Sequence, residues 1–104
     1  MSIRVEDAPE RERFEIYDGD ELAGYTAYRY NGDLIAFMHT QIEPEHEGQG
    51  MASQLIGSAL ESARERGLEV LPFCPFVNGY IQRHPEWQEI IPPAYRKGFA
   101  SAGS

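Results

Sequence analysis

β-prone residues gather in three successive stretches, Arg13 to Tyr17, Glu21 to Tyr30 and Asp33 to Gln41, and each predicts a strand. Asp18-Gly19-Asp20 joins the first two and Asn31-Gly32 the next two. The Asn-Gly pair predicts a two-residue type I′ hairpin, because both residues tolerate positive φ, so the three strands read as an antiparallel meander. Residues 42–50, Ile-Glu-Pro-Glu-His-Glu-Gly-Gln-Gly, break this pattern and read as a loop. From Met51 to Arg66 the period becomes helical: Met51, Ala52, Leu55, Ile56, Ala59, Leu60 and Ala63 share one face. Glu61, Arg64, Glu65 and Arg66 fall mainly on the other face, and Gly67 is placed to end the helix. Leu68 to Phe73 predicts a buried strand, so strand, helix and strand form a right-handed parallel crossover. Cys74-Pro75 then turns the chain into a short second helix, Phe76 to Arg83, which stops before Pro85.

This succession gives a mixed α/β fold: an antiparallel meander, a strand-helix-strand crossover and a short second helix. The 104 residues suit one domain spanning 1–104, with a tail from about 92 that carries no firm element and is expected to be flexible. The net charge of −8 argues against a duplex nucleic-acid partner and against an anionic membrane surface. Residues 1–52 hold 12 acids and 4 bases, so the acidic excess lies wholly in the first half, which favours a cationic partner over an anionic one. No apolar run reaches membrane-spanning length, no signal-peptide pattern opens the chain, and the single cysteine, Cys74, forms no internal disulfide; the expected setting is cytoplasmic.

Glu47-Gly48-Gln49-Gly50-Met51-Ala52 sets two glycines between a strand and the best-defined helix. The first turn of a helix leaves about four amide N–H groups unpaired, and residues without a β-carbon let a phosphate come close to them. A diphosphate is the natural guest; a flexible turn that only satisfies chain geometry is the alternative.

These residues resemble the acyl-CoA loop of the GNAT superfamily of N-acetyltransferases, Gln/Arg-x-x-Gly-x-Gly/Ala opening a helix after a central strand. Glu47-x-x-Gly50-x-Ala52 follows that pattern, with Glu47 where the superfamily usually has glutamine or arginine. Leu71-Pro72-Phe73-Cys74-Pro75-Phe76-Val77 and Tyr80-Ile81-Gln82-Arg83-His84-Pro85-Glu86-Trp87 look like the later half of a small, stand-alone, single-domain GNAT subfamily. The resemblance spans roughly Glu21 to Trp87. It implies the GNAT fold and acetyl-CoA (coenzyme A) as co-substrate, with no metal. It further implies that the strand before the loop splays from the next one, so that the pantetheine arm lies in the gap with its thioester near Cys74. The implied cofactor-binding residues are Thr40, Ile42, Glu47, Gly48, Gln49, Gly50, Met51, Ala52 and Asn78.

In the superfamily pattern an amine attacks the bound thioester directly, so a base, a carbonyl-polarising group and an acid are needed. Tyr80 resembles the tyrosine that returns a proton to the thiolate, with aromatic packing as its alternative role. Cys74 reads as an acyl-accepting nucleophile, as a group lining the thioester pocket, or as a small buried hydrophobe. His39, after the apolar run Leu34 to Met38, can accept the amine proton or serve as a hydrogen-bonded strand residue. His46 is expected in solvent and His84 as a cap on the second helix; with His39 and Cys74 they show no zinc spacing.

The resemblance therefore predicts an acetyl-CoA-dependent N-acetyltransferase acting on an amine of a small molecule or basic peptide. A non-catalytic acyl-CoA sensor or interaction module is the alternative. The expected state is a monomer or weak homodimer, with the aromatic segment Tyr80 to Tyr95 as a possible dimer surface. The short chain leaves little to wall off the acceptor, which implies an open or partner-completed acceptor site.

Overall fold

A computed structural model describes residues 2–95. Five strands form one sheet whose spatial order follows the chain: β1 (Ile3–Ala8), β2 (Arg13–Asp18), β3 (Glu21–Asn31), β4 (Leu34–Ile42) and β5 (Glu69–Pro72). The first four pair antiparallel and β4 pairs β5 in parallel. The crossover between β4 and β5 is α1 (Met51–Glu65), and α2 (Pro75–Arg83) follows β5. The meander, the crossover and the second helix thus stand where the sequence places them.

Three local features differ. β1 lies upstream of the expected strands, with Ile3 and Val5 turned inward between exposed Arg4 and Glu6. Its far end is tied to the helix layer: Tyr28 Oη donates to Asp7 Oδ1 at 2.5 Å, and Arg66 Nη2 lies 2.6 Å from Asp7 Oδ2. The second hairpin is displaced by one residue. Asn31 pairs with Leu34, leaving Gly32 and Asp33 as the turn, and only Gly32 has positive φ, which excludes type I′. Beyond α2 the chain continues in 3-10 turns, Pro85–Ile90 and Pro93–Tyr95; residues 96–104 of the expected tail lie outside the described residues.

Both helices pack on one sheet face. Met51, Leu55, Ile56, Ala59, Leu60 and Ala63 of α1, with Val77 and Ile81 of α2, bury against Phe14, Ile16, Tyr28, Ile35, Phe37 and Val70. Trp87 and Ile91 extend this core, and the Arg64 guanidinium lies 4.5 Å over the Trp87 ring. α1 ends in a left-handed cap. Gly67 has φ +71, its N–H donates to Arg64 O, and the Leu68 N–H donates to Ala63 O, which satisfies carbonyls the helix would leave open.

Among the described residues the other sheet face carries no helix and is covered by long polar side chains. Glu15 is buried there, accepting from Arg11, Arg13 and Tyr17. The Arg11 guanidinium foremost, with Tyr17 and Arg13, holds its carboxyl down at about 2 against the opposing effect of burial. Arg13 also lies 4.5 Å over Tyr25, beside which stands His39, ring centroids 6.0 Å apart.

Two bulges shape the sheet near its functional end. Ile16 pairs with Gly24 but Tyr17 with Leu22, leaving Ala23 extra in β3; Tyr28 pairs with Phe37 but Ala27 with His39, leaving Met38 extra in β4. At Gly24 there is no room for a side chain, since a β-carbon there would meet Gln41 O at 2.5 Å and Ile42 Cδ1 at 2.6 Å. Gly24→Ala should therefore destabilise the fold by about 1–3 kcal/mol, the usual range for forced overpacking. Urea unfolding measures this, and a wild-type midpoint would contradict the tight approach.

Candidate functional site

The parallel ladder stops early. Phe37 pairs with Pro72, the Cys74 N–H donates to Phe37 O at 2.9 Å, and from Met38 to Ile42 β4 has no β5 partner. The strands part here, as expected, and expose one edge of β4. The chain then makes a 3-10 turn, Pro44–His46, passes through the two glycines and enters α1. A cavity of about 370 Å³ occupies the gap, lined by Thr40, Gln41 and Ile42 of β4, His46 to Gly48 and Gly50 of the loop, Met51 to Ser53 of α1, and Phe76 of α2.

The loop is built to present donors. Gly48 and Gly50 have φ of +82 and +75, a region that L side chains enter at a cost of roughly 1–2 kcal/mol, and only open space lies where their β-carbons would be. Gly50 caps α1 without a side-chain hydrogen bond, and no acidic residue stands in the first turn. The first intrahelical bond runs from the Gln54 N–H to Gly50 O, so the amides of Met51, Ala52 and Ser53 remain available at the positive end of a fifteen-residue helix. This arrangement fits a diphosphate.

Of the expected cofactor residues, Thr40, Ile42, Glu47, Gly48, Gly50, Met51 and Ala52 line this cavity. Gln49 does not; it is exposed, and its side chain adds to the raising of the His46 pKa. Asn78, on α2, does not either; its Oδ1 accepts from Gln82 Nε2 at 2.6 Å.

The three expected catalytic residues surround the cavity without lining it. Cys74 is 1% exposed, with Sγ 3.1 Å from Thr40 Oγ1; Thr40 in turn lies 2.9 Å from Thr26 Oγ1. A buried thiol-hydroxyl chain thus stands directly behind the cavity wall. His39 is exposed, next to the bulge residue Met38 and against Tyr25. Tyr80 stacks on His84 at 4.1 Å, and its hydroxyl would meet a β-carbon on Gly57 at 2.9 Å, one helical turn beyond Ser53. His84 caps α2 as expected: its backbone N–H donates to Tyr80 O, and its Nδ1 lies 2.9 Å from the same oxygen.

His46 corrects the expectation of a solvated loop residue. It is 6% exposed, with Nε2 2.8 Å from Glu21 Oε1 and Nδ1 3.9 Å from Asp18 Oδ2. The imidazole fastens the loop to the β2–β3 hairpin. Its three glutamate neighbours in sequence disguised it, because the carboxylates that matter are distant in the chain. The hydrogen bond to Glu21 raises its pKa, supported by the charges of Glu21 and Asp18, while burial works the other way.

Residues 13–90, three-quarters of the chain, match the family model of GCN5-related N-acetyl-transferases. A GCN5-like protein from Staphylococcus aureus, solved by NMR, has a similar fold: TM-score 0.66, 23% identity, covering 86% of this chain and 87% of that one. Nourseothricin acetyltransferase is 35% identical over 56% of this chain and 36% of its own, with a TM-score of 0.48.

The raised His46 pKa has a consequence for stability. Protonation favours the folded state, so the stabilisation is complete below the ordinary histidine value of about 6.5 and is lost as pH rises through the raised folded value. Wild type should thus lose stability relative to His46→Gln between pH 6 and pH 9, read from urea midpoints. A pH-independent difference would remove the charged His46 from the fold.

Proposed function

This chain belongs to the GCN5-related N-acetyltransferase family, whose members use acetyl-CoA, and from that premise we propose that it transfers the acetyl group to a primary amine of a small molecule or basic peptide. The observation that carries this reading is the meeting of two donor sets at one cavity: the free amides at the start of α1 and the unpaired edge of β4. The first set suits the diphosphate. The second suits the pantetheine amides, which can pair with the exposed backbone as an added strand does. Glu47 borders the same cavity, so the anion must be held by local dipoles rather than by the acidic field of the whole chain.

In this reading the thioester lies at the far end of β4 from the glycine loop, near Thr40 and the bulge. The amine nitrogen attacks the carbonyl carbon, the carbon-sulfur bond breaks, the ammonium loses a proton and the thiolate gains one. His39 is the proposed proton acceptor, supported by its place beside the bulge on the helix-free face, where an amine has open access. Tyr80 is the proposed donor to the thiolate, supported by a hydroxyl one helical turn from the cavity wall. Cys74 is proposed to support the site through Thr40 Oγ1, because its burial behind Thr40 suits a direct transfer without an acyl-cysteine. The acidic first half favours cationic acceptors.

Acetyl-CoA should raise Tm in a concentration-dependent way, following RT ln(1 + [L]/Kd). A panel of amines, polyamines and lysine peptides should then release coenzyme A thiol in step with acetylated product. No thermal shift at millimolar acetyl-CoA, with no heat of binding, would overturn the reading. A shift without product from any amine would leave an acyl-CoA sensor.

His39→Gln and Tyr80→Phe should each lower kcat by about 10²-fold, the scale of a lost proton-transfer group, with the Kd for acetyl-CoA unchanged. Wild-type kcat in Tyr80→Phe would return Tyr80 to packing against Gly57 and His84.

A further inference from the structure

The helix-free face of the sheet carries a group of side chains arranged around Ala27. The register sets Arg13 on one side of Ala27 and His39 on the other, while Tyr25 and Arg29 stand two residues away along β3 in either direction, so all four share this face. Contacts fix three of them. The Arg13 guanidinium lies 4.5 Å over the Tyr25 ring and its Nε 2.7 Å from Glu15 Oε2, and the Tyr25 and His39 rings are 6.0 Å apart. Ala27 and Ala36, the partner of Arg29, are both half-buried, so two short side chains floor a shallow depression with long ones around it.

The charge around this depression opposes that of the chain. Of 17 acidic residues, none lies between Leu22 and Asn31 of β3 or anywhere in β4. Glu15, buried on the same face, is already held by Arg11, Arg13 and Tyr17. Arg29, like Arg83, has no carboxylate partner among the described residues, and its exposed side chain makes no hydrogen bond or ring contact there. Even Glu12, whose carbonyl accepts from the Tyr28 N–H next to it, forms no ion pair with it. What sets Arg29 apart is its place: it stands diagonally across the β3–β4 pair from His39, a relation that spaces residues by roughly 7–8 Å and lets one small molecule touch both side chains.

Resting on the acetyl-transfer reading above, we infer that this depression receives the acceptor and selects a small amino acid: its amine stands at His39 and its carboxylate pairs with Arg29. Arginine holds a carboxylate through two parallel N–H bonds, which fixes orientation as well as position. The Tyr25 ring, pinned by Arg13, walls the third side. The acidic field of the first half acts at range on the ammonium, but inside the depression the nearest free charge is positive, so a zwitterion satisfies both. A polyamine satisfies only the first. The acceptor class thereby narrows to amines that carry a carboxylate.

Matched acceptors presented to the full chain with acetyl-CoA test this: glycine against methylamine, β-alanine against ethylamine, and 4-aminobutyrate against propylamine, read by thiol release and product mass. Wild type should favour the acid in at least one pair by about fivefold in kcat/KM, the scale of an exposed bidentate arginine-carboxylate contact, and the preference should shrink at high salt. Arg29→Gln should erase the preference through KM. Arg29→Glu should reverse it, favouring 1,4-diaminobutane over 4-aminobutyrate. Equal wild-type use of acid and amine in every pair, or an equal loss on all acceptors in Arg29→Gln, would overturn the acceptor subsite while leaving acetyl transfer intact. No product from any acceptor, in a chain that still binds acetyl-CoA, would instead sink the transfer reading and the subsite with it.

Discussion

One extra residue in β4 governs the site. Met38 has no partner in β3, because Phe37 pairs with Tyr28 and His39 with Ala27. Side chains in a strand alternate between faces, so this insertion reverses the alternation from that point onward. Ile35 and Phe37 enter the core before the bulge; after it, Thr40 enters instead and His39 turns outward. A regular strand would bury His39 against the helices and expose Thr40, leaving the cavity without its hydroxyl and the helix-free face without its imidazole. The bulge also lies where β5 leaves β4, so the reversal and the opening of the cleft coincide.

The rest of the site is layered on this opening. β4 continues alone toward the loop, His46 fastens the loop to Glu21 across the sheet, and the glycines bring free amides to the mouth of the gap. Behind the wall, Thr26, Thr40 and Cys74 satisfy one another's polar atoms, which lets a hydroxyl and a thiol remain buried without an unmet hydrogen bond. Tyr80 and His84 brace α2 against α1, and Gly57 is the position that lets them meet.

Elements with a strong period or strong punctuation could be read from the residues alone. The seven-residue apolar face of α1, the glycine at its end and the proline at the start of α2 each signal a boundary through local physics, and the structure agrees within a residue or two. β1 also carries a period-two signal in Ile3 and Val5, but it is short, charged and followed by Pro9, which dilutes it. The bulges were not legible, since a one-residue slip depends on the partner strand rather than on Met38 or Ala23. The same holds for His46, whose burial depends on Glu21 and Asp18, and for Tyr80, whose hydroxyl direction is set by α1. The glycine loop was legible as the break between strand and helix; the exposure of Phe76 was not, because exposure is a property of the folded chain.

The sheet also has borders. Its first edge is β1, whose outward Arg4 and Glu6 pair with each other at 2.5 Å, and its last is β5, four residues long and closed by Pro72, which has no N–H to offer. Charged side chains, brevity and proline are the devices by which native sheets resist edge-to-edge association. The same backbone chemistry that would join two copies at a border is also left open inside the molecule, along Met38 to Ile42, where it faces a cleft lined by the start of α1 and by Phe76.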